Sequence, residues 1–272
     1  MQCKGFLIGG TAGRTTLAGE GLQHQDGNSH LLAYPVPNLV AYDPAYAFEL
    51  AVIIRDGIKR MYEDQENIFY YLTVMNENYP MPPMPEGAKD GILKGMYKLK
   101  SSSKKNAKVK AHLFGSGTIL NEAVKAQELL EDEYKISADV WSVTSYKELR
   151  KDALEVERWN MLHPMETPKI PYVTEMLQKE EGVYVAASDY VKTLPDSIAK
   201  WMPRPLISLG TDGFGRSEAR KELRDFFEVD YRHITLAALG ELFKQGKIKQ
   251  PVLEKAMLDL EINPDKKNPM NS

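Results

Sequence analysis

Hydrophobic residues recur with two different spacings along the first third of the chain. Short apolar runs at 5–10, 38–43 and 67–75 predict strands, the last of them rich in β-branched and aromatic residues. Between the second and third runs, apolar residues recur near the helical period over 45–61, which predicts a buried amphipathic helix. Four prolines then fall between positions 80 and 85, where neither a helix nor an inner strand can accommodate them. The pattern therefore predicts a break in the fold at this point.

A regular alternation of strands and helices follows from residue 109 onward. Predicted strands cover 109–117, 138–145, 182–188 and 205–210, and predicted helices cover 121–134, 146–161, 189–202, 217–227, 234–245 and 250–260. Such alternation is typical of right-handed crossovers and of a sheet covered by helices on both faces. The sequence therefore predicts an α/β fold with a parallel or mostly parallel sheet.

Composition and charge exclude several classes of function. The net charge of −3 and the pI near 6.0 give no support to a nucleic-acid partner. No apolar run approaches the roughly 18 residues of a membrane span. The single cysteine, Cys3, excludes an internal disulfide and is typical of a reducing compartment, so we expect a cytoplasmic protein. The basic, serine-rich segment 98–110 is interpreted as a solvated connection rather than a surface for an anionic partner.

Two glycine-rich stretches resemble phosphate-binding loops. Residues 210–217, GTDGFGRS, match the G-x-x-x-x-G-K-[ST] pattern except that Arg216 stands at the lysine position, and residues 9–16 show a similar pattern with shorter spacing. A planar guanidinium is a poor substitute for the lysine that reaches the terminal phosphates. We therefore interpret both stretches as structural turns and expect neither to bind a nucleotide.

The polar stretch at 19–30, GEGLQHQDGNSH, is the best candidate for chemistry. A histidine with a pKa near 6.5 is suited to proton transfer at physiological pH, and Glu20 stands four positions before His24, where it can orient the ring or act itself. A zinc site built from His24, Asp26 and His30 has suitable ligand types, but its spacing matches no familiar signature, so we expect no metal site. On the residues alone, a polar surface loop stays the simpler interpretation.

Other candidate residues have ordinary structural interpretations. His112 lies inside a predicted strand and His233 precedes a predicted helix, so we expect both to be structural. The stretch around Trp159 and His163 is either packed in the core or part of an interface or active-site rim. No serine lies in a G-x-S-x-G elbow, which argues against a nucleophilic triad.

The order of motifs along the chain resembles that of a known enzyme family. The motifs are GGTAGRTTLAGEGLQHQDGNSH (9–30), PNLVAYDPAYAFELAVIIRDG (37–57), NENYPMPPMPEG (76–87), SVTSYKEL (142–149), ERWNMLHPMETP (157–168) and LGTDGFGRS (209–217). Together they resemble the homodimeric, thiamine-diphosphate-dependent decarboxylase component of bacterial pyruvate dehydrogenase, over residues 4 to 266. The G-E-G, histidine, P-N and D-P-A elements are shared with transketolases, whereas ERWNMLHP and NENY are typical of the pyruvate enzyme.

The resemblance implies a domain organisation. Residues 1–78 would form the second half of a transketolase-type pyrimidine-binding domain. Residues 79–108 would be a linker, and residues 109–272 would form the transketolase-type carboxy-terminal α/β domain with its mostly parallel sheet.

The resemblance also implies a reaction and its participants. The family's loop histidine, which faces the substrate side of the cofactor, corresponds to His24, and its partner acid corresponds to Glu20; these two are the predicted catalytic residues. The family uses thiamine diphosphate and Mg²⁺ to decarboxylate pyruvate, and it transfers the two-carbon unit to the lipoyl group of the dihydrolipoyl acetyltransferase component. A second copy of the same subunit would be the other partner.

One element of the family pattern is missing from the sequence. Thiamine enzymes hold magnesium and the diphosphate with a G-D-G…N-N element, and no G-D-G occurs here. We therefore expect the chain to be a carboxy-terminal fragment that binds no cofactor and is inactive alone. Two alternatives stay open: a separate subunit of a two-chain transketolase-like or 2-oxo acid dehydrogenase enzyme, and a non-catalytic α/β interaction module.

Overall fold

The computed structural model describes residues 3–10, 12–17, 21–104 and 109–272, which form two sheets with flanking helices. The strands are β1 Phe6–Gly10, β2 Leu39–Tyr42, β3 Phe69–Val74, β4 Met96–Lys100, β5 Lys110–Gly115, β6 Ser137–Val143, β7 Val183–Ala187 and β8 Leu206–Leu209. The helices are α1 Ser29–Leu32, α2 Ala47–Ile58, α3 Ala88–Lys94, α4 Leu120–Asp132, α5 Tyr146–Leu162, α6 Tyr172–Leu177, α7 Thr193–Asp196, α8 Arg220–Phe226, α9 Tyr231–Lys244 and α10 Gln250–Asp259. A π-helical turn, Lys59–Glu63, extends α2. Three 3₁₀ turns cover Gly117–Ile119, Ala199–Trp201 and Pro269–Asn271.

The first sheet is parallel, three-stranded and ordered β1-β3-β2. Alternate side chains of a strand point to opposite faces, so Tyr70 and Leu72 of β3 face one side together. On that side they pack in one core with Ile53 of α2 and Ile92 of α3. The neighbouring residue Thr73 faces the other way, toward the polar loop described below. The amphipathic helix predicted over 45–61 is thus confirmed in α2.

The second sheet has five strands in the order β4-β6-β5-β7-β8, and only β4 runs antiparallel to its neighbour. Along β5, Ala111 and Leu113 enter the core formed with α4 and α9, whereas Phe114 enters the core on the α5 side. Helices therefore cover both faces, as a parallel sheet requires. The predicted α/β fold with a mostly parallel sheet is confirmed.

One predicted helix does not form, and one segment of the predicted linker contains regular secondary structure. A continuous helix over 189–202 does not form; only α7 and a 3₁₀ turn are present, because residues 188–192 extend to contact the polar loop, where the Val191 N–H donates to the Gly27 carbonyl. The segment from 88 to 100, which falls inside the predicted linker, forms α3 and β4. The burial of Ile92 and Met96 supplies the hydrophobic contacts that stabilise these elements.

Two lysines of the basic segment 98–110 contact an acid of the second sheet. The ammonium groups of Lys98 and Lys110 lie 2.8 and 2.7 Å from Asp139, a buried carboxylate of β6. These lysines are therefore paired with an internal acid rather than fully solvated. The proposed division into domains at 79–108 stays a proposal.

The two sheets are joined by hydrogen bonds near the carboxyl end of β2. The Asp43 N–H donates to the Thr144 carbonyl at 2.8 Å, and the Gly117 N–H donates to the Asp43 carbonyl at 3.1 Å. The buried Glu49 carboxylate of α2 accepts from the hydroxyl of Ser142, in β6, at 2.6 Å. Because these groups are buried, breaking their bonds would leave unsatisfied polar atoms, which holds the sheets in a defined arrangement.

Across the described ranges, no helix combines the length and the apolar character that crossing a membrane requires.

Candidate active-site loop

The polar loop at 21–30 lies against the second sheet although it follows the first strand of the first sheet in sequence. The side-chain amide of Gln25 donates to the Arg216 carbonyl at 2.6 Å, and the Arg216 N–H donates back to the Gln25 side chain at 2.8 Å. The Val191 N–H donates to the Gly27 carbonyl at 3.1 Å. The connections that follow β7 and β8 therefore hold this loop.

His24, the first predicted catalytic residue, is exposed on this loop. Its backbone N–H donates to the Gly21 carbonyl at 3.3 Å, and its ring forms no hydrogen bond with any described residue. An imidazole in this position can exchange a proton with a ligand. Glu20, the predicted partner acid, lies outside the described residues, so its pairing with His24 stays a prediction.

His30 lies only six residues further along but is buried, with 4% of its surface exposed. Its Nε2–H donates to the Thr73 hydroxyl at 3.0 Å, and that hydroxyl donates to the Asp43 carboxylate at 2.7 Å. The Tyr190 ring packs edge-on against the imidazole at a centroid distance of 4.8 Å. Burial lowers the pKa of His30 to about 4, outweighing the opposite effect of Asp26, so the ring is neutral at physiological pH.

Asp43, directly after β2, is the buried acid at the end of this chain of hydrogen bonds. Burial raises its pKa to about 7, although the hydroxyls of Thr73 and Ser116 favour the ionised form. A Cβ at Gly117 would lie 2.8 Å from the Asp43 carboxylate, so no open space adjoins the carboxylate on that side. The His30–Thr73–Asp43 chain is therefore internal and contacts no open pocket there.

The candidate zinc ligands His24, Asp26 and His30 do not converge. The Asp26 carboxylate accepts from the N–H groups of Asn28 and Ser29 at the start of α1, and the His30 ring points inward. In the part of the chain that the structure describes, the groups with metal-ligand geometry are His112–Asp139–Glu180 and Asp225–Asp230–His233. Lysines and an arginine are ion-paired to the carboxylates of these groups, and neither group includes a residue of the polar loop.

His112 and His233 are confirmed as structural residues. The Nδ1 of His112 accepts from the Trp141 indole at 3.2 Å, and its Nε2 lies 3.1 Å from the Glu181 carbonyl. Burial lowers the pKa of His112 to about 4. The Nδ1 of His233 lies 2.7 Å from Asp230, which also caps the start of α9.

Trp159 and His163 stack at the end of α5 with a centroid distance of 4.4 Å and an interplanar angle of 11°. Lys169 lies over the Trp159 ring at 3.9 Å. Neither aromatic ring belongs to a buried core cluster of the described residues, so the core-packing interpretation is not supported. Their role as an interface or rim stays a prediction.

The glycine-rich stretch 210–217 uses its polar backbone groups internally. The Arg14 guanidinium donates to the carbonyls of Thr211 and Gly213. The Thr211 N–H donates to the Tyr190 carbonyl at 2.9 Å, and the Arg216 N–H is taken by Gln25. A phosphate needs converging free amides, and those of Thr211 and Arg216 are already bonded. The contacts favour the interpretation as a structural turn.

The same observations test whether the described residues fit a thiamine diphosphate with its magnesium ion. A diphosphate requires oxygen ligands around a metal, or amides and cations that converge. The metal-capable groups are ion-paired elsewhere, the glycine-rich stretch presents carbonyls to Arg14, and the Asp43 carboxylate is enclosed. The described residues therefore do not form a diphosphate site by themselves.

Two family models match the chain. Residues 1–82 match the middle domain of the pyruvate dehydrogenase E1 component, and residues 95–230 match the transketolase-like C-terminal domain. The second model covers half of the chain, so the chain belongs to the transketolase-like C-terminal domain family.

Curated relatives agree with this family along nearly the whole chain. The pyruvate dehydrogenase E1 component of Pseudomonas aeruginosa is 55% identical over 99% of the chain, and that of Escherichia coli K12 is 51% identical over 99%. The Cupriavidus necator component is 46% identical over the full chain. The chain spans only 30–31% of the length of these relatives.

Solved structures share the fold at much lower identity. A mutant form of the Pichia stipitis transketolase has a TM-score of 0.63 at 17% identity, covering 89% of this chain and 31% of that one. A split-gene transketolase, described as an inactive β4 tetramer, has a TM-score of 0.59 at 17% identity, covering 88% of this chain and 67% of that one. These likenesses concern the fold alone.

Sequence reasoning missed the two buried acids of this region, Asp43 and Asp189. Each comes shortly after the carboxyl end of a parallel strand, β2 for Asp43 and β7 for Asp189. That edge is where ligands and functional side chains gather in α/β sheets. The position of each acid in sequence, after a predicted strand, is the signal that could have found them.

Proposed function

We propose that this chain is the part of a thiamine-diphosphate-dependent pyruvate dehydrogenase E1 component that supplies the loop histidine, His24, to the active site. The whole enzyme would oxidatively decarboxylate pyruvate and transfer the acetyl unit to the lipoyl group of the dihydrolipoyl acetyltransferase. The observation that carries the proposal is the 46–55% identity to E1 components along nearly the entire chain. Family membership implies thiamine diphosphate dependence, and Mg²⁺ would accompany the diphosphate.

His24 would act as a general acid or base. Its exposed ring has no internal hydrogen-bond partner among the described residues, whereas the loop backbone around it is fixed to the second sheet. A positioned proton donor of this kind accelerates a reaction by roughly 10²–10⁴-fold. Glu20 would be its partner acid.

The described residues form no site for the diphosphate and magnesium, so other parts of the enzyme would supply it. The chain alone would therefore be inactive. A second copy of the same subunit would be a further partner. The enzyme would be located in the cytoplasm. The domain boundaries would be 1–78 and 109–272, separated by the linker at 79–108.

The test compares an E1 polypeptide that contains this sequence with the chain alone. Both are assayed for carbon dioxide release from pyruvate and for acetyl transfer to a lipoyl domain. Activity of the long polypeptide only supports the proposal. Activity that requires a separately encoded second chain supports the two-chain alternative. Absence of turnover in every combination, with the proteins folded, supports the non-catalytic module.

A further inference from the structure

Asp189, two residues after β7, is the hub of a buried hydrogen-bond network. Its carboxylate accepts from the Thr15 N–H at 2.8 Å, from the Thr15 hydroxyl at 2.6 Å and from the Thr16 hydroxyl at 2.7 Å. The residue is completely buried. Thr15 and Thr16 belong to the segment 12–17. Their three hydrogen bonds to one buried carboxylate hold this segment in one position.

Segment 12–17 also approaches Asp189 through its backbone. The Arg14 N–H donates to the Asp189 carbonyl at 3.2 Å, and the Thr211 hydroxyl donates to the same carbonyl at 2.9 Å. Gly13 has a φ of +87°, and a Cβ there would overlap the Asp189 carboxylate. Only glycine permits both this backbone conformation and this close approach.

Helix α8 supports the same segment from a second direction. The Arg220 guanidinium donates to the Thr16 carbonyl at 2.7 Å. Arg224, also buried, lies 3.4 Å from the Thr15 hydroxyl and is paired with Glu77 and Glu122. Burial raises the pKa of Asp189, while its three donors and the positive charge of Arg224 favour the carboxylate. The network is therefore a largely buried anchor for segment 12–17.

The stretch on the other side of His24 is anchored to the same edge of the second sheet. Gln25 exchanges two hydrogen bonds with Arg216, and the Gly27 carbonyl accepts from Val191. The described stretches 12–17 and 25–27, which lie before and after His24 in sequence, thus contact the connections that follow β7 and β8. These connections belong to the second sheet, whereas the loop that carries His24 follows β1 of the first sheet in sequence.

We infer that Asp189 is a positioning residue for His24, acting through Thr15 and Thr16. The carboxy-terminal sheet would thereby set the location of a catalytic group that the first domain supplies in sequence. The kinetic part of this inference rests on the proposed function, whereas the structural part does not. Asp189 is completely buried and would act only through Thr15 and Thr16.

The first test is amide hydrogen exchange on the chain itself. Asp189→Ala removes the acceptor of the Thr15 N–H, so we expect the Thr15 amide to exchange at least about tenfold faster, with smaller increases at residues 21–27. Asp189→Asn keeps a side-chain oxygen that accepts from Thr15, and its new amide group can donate to the Thr16 hydroxyl. We therefore expect the Thr15 amide to exchange in this variant as slowly as in the unmodified chain. Unchanged Thr15 exchange in Asp189→Ala would overturn the inference.

Asp139→Ala is the matched control for this experiment. Asp139 is also a buried carboxylate of the second sheet, but its partners are Lys98 and Lys110 rather than the loop. We expect its removal to lower the thermal midpoint while exchange at 12–17 stays as in the unmodified chain. If Asp139→Ala accelerates the Thr15 amide as much as Asp189→Ala does, general loosening explains the effect and the inference fails.

The second test uses an E1 polypeptide that contains the chain. Misplacing a catalytic group by about 1 Å costs roughly 100-fold in rate, so Asp189→Ala should lower kcat by about 100-fold with KM for pyruvate nearly unchanged. The double variant with His24→Ala should be no slower than His24→Ala alone, because Asp189 acts through that histidine. Losses that multiply in the double variant would overturn the inference.

The two tests separate the failure of this inference from the failure of the proposed function. If His24→Ala leaves turnover of the E1 polypeptide unchanged, the proposed role of the loop is wrong, and Thr15 exchange still decides whether Asp189 holds segment 12–17. If His24→Ala abolishes turnover while Asp189→Ala does not change it, the proposed function stands and the positioning role is wrong.

Discussion

His24 and His30 belong to the same short loop but occupy opposite environments. His24 is exposed and its ring makes no hydrogen bond to the described residues, whereas His30 is buried between Thr73 and the ring of Tyr190. Burial keeps His30 neutral, with a pKa of about 4. A histidine that cannot take up a proton near pH 7 is suited to holding structure, while one that meets solvent is suited to chemistry. The difference in burial therefore assigns the two residues opposite roles.

The largest effect expected from this comparison is on catalysis by His24. In an E1 polypeptide that contains the chain, His24→Ala should lower the flux from pyruvate to acetyl-CoA by roughly two or more orders of magnitude, the scale of lost acid–base catalysis. Stability should hardly change, because the exposed ring buries little apolar surface. Steady-state flux and a thermal melt of the same preparation check both halves. Near-normal flux with unchanged stability would favour the interpretation of this stretch as a polar surface loop without a catalytic role.

His30 should show the reverse pattern, a loss of stability first. His30→Ala leaves the Thr73 hydroxyl without its donor and opens a cavity beside Tyr190, which should cost about 2 kcal/mol of unfolding free energy. Urea unfolding of the chain measures this directly. His24→Ala is the matched control, since it removes the same ring from an exposed position in the same loop. Equal midpoints for the two variants would show that burial does not distinguish these histidines.

The sequence predicted the parts of the fold that repeat a strong pattern. Strands β5, β6 and β7 and helices α4 and α5 lie close to their predicted bounds, because their apolar residues keep one period over the whole element. The segment with α3 and β4 was missed because prolines precede it and lysines and serines follow it. Its order depends on tertiary contacts, such as the pairing of Lys98 with Asp139, that local sequence does not encode.

The candidate site was predictable in residue type but not in arrangement. His24 could be selected because the stretch around it resembles a family motif. No local pattern, however, shows that the His30 ring points inward or that Arg14 donates hydrogen bonds to carbonyls of the glycine-rich stretch. Asp189 reaches Thr15 across 174 residues of sequence. Contacts between residues so far apart in sequence depend on the order of strands in the sheet. They can therefore be predicted only once the fold is known.

A smaller effect is expected on how the stability of the chain depends on pH, because the buried residues His30 and Asp43 have shifted pKa values. The pKa of His30 is lowered to about 4, so its contribution to stability is present above about pH 6.5 and is lost as the pH falls toward 4. The pKa of Asp43 is raised to about 7, so its contribution is present below about pH 4 and is lost as the pH rises toward 7. The two slopes oppose each other in this window, each up to about 1.4 kcal/mol per pH unit.

Asp43→Asn removes one of the two opposing slopes. We expect the urea midpoint of this variant to rise between pH 4.5 and 6.5 more steeply than that of the unmodified chain, because the titration of Asp43 then no longer opposes that of His30. His30→Gln should do the opposite and lose stability as the pH rises through the same window. Parallel profiles for all three proteins would mean that neither buried group titrates differently in the folded and unfolded states.

The smallest expected effect is that of the cofactor on the chain alone. The His24 side chain is exposed, but the described residues supply no diphosphate site around it. The Thr211 and Arg216 amides of the glycine-rich stretch are internally bonded, and the Arg14 guanidinium donates to carbonyls of the same stretch. Thiamine diphosphate with magnesium should therefore leave the thermal midpoint unchanged and give no binding heat beyond dilution. His24→Ala should behave identically, because an exposed imidazole cannot hold several negative charges by itself. A magnesium-dependent dissociation constant below about 10 μM, roughly −7 kcal/mol, would show that the chain carries its own diphosphate site. The exposed His24 would then belong to a complete centre rather than to a contributed loop.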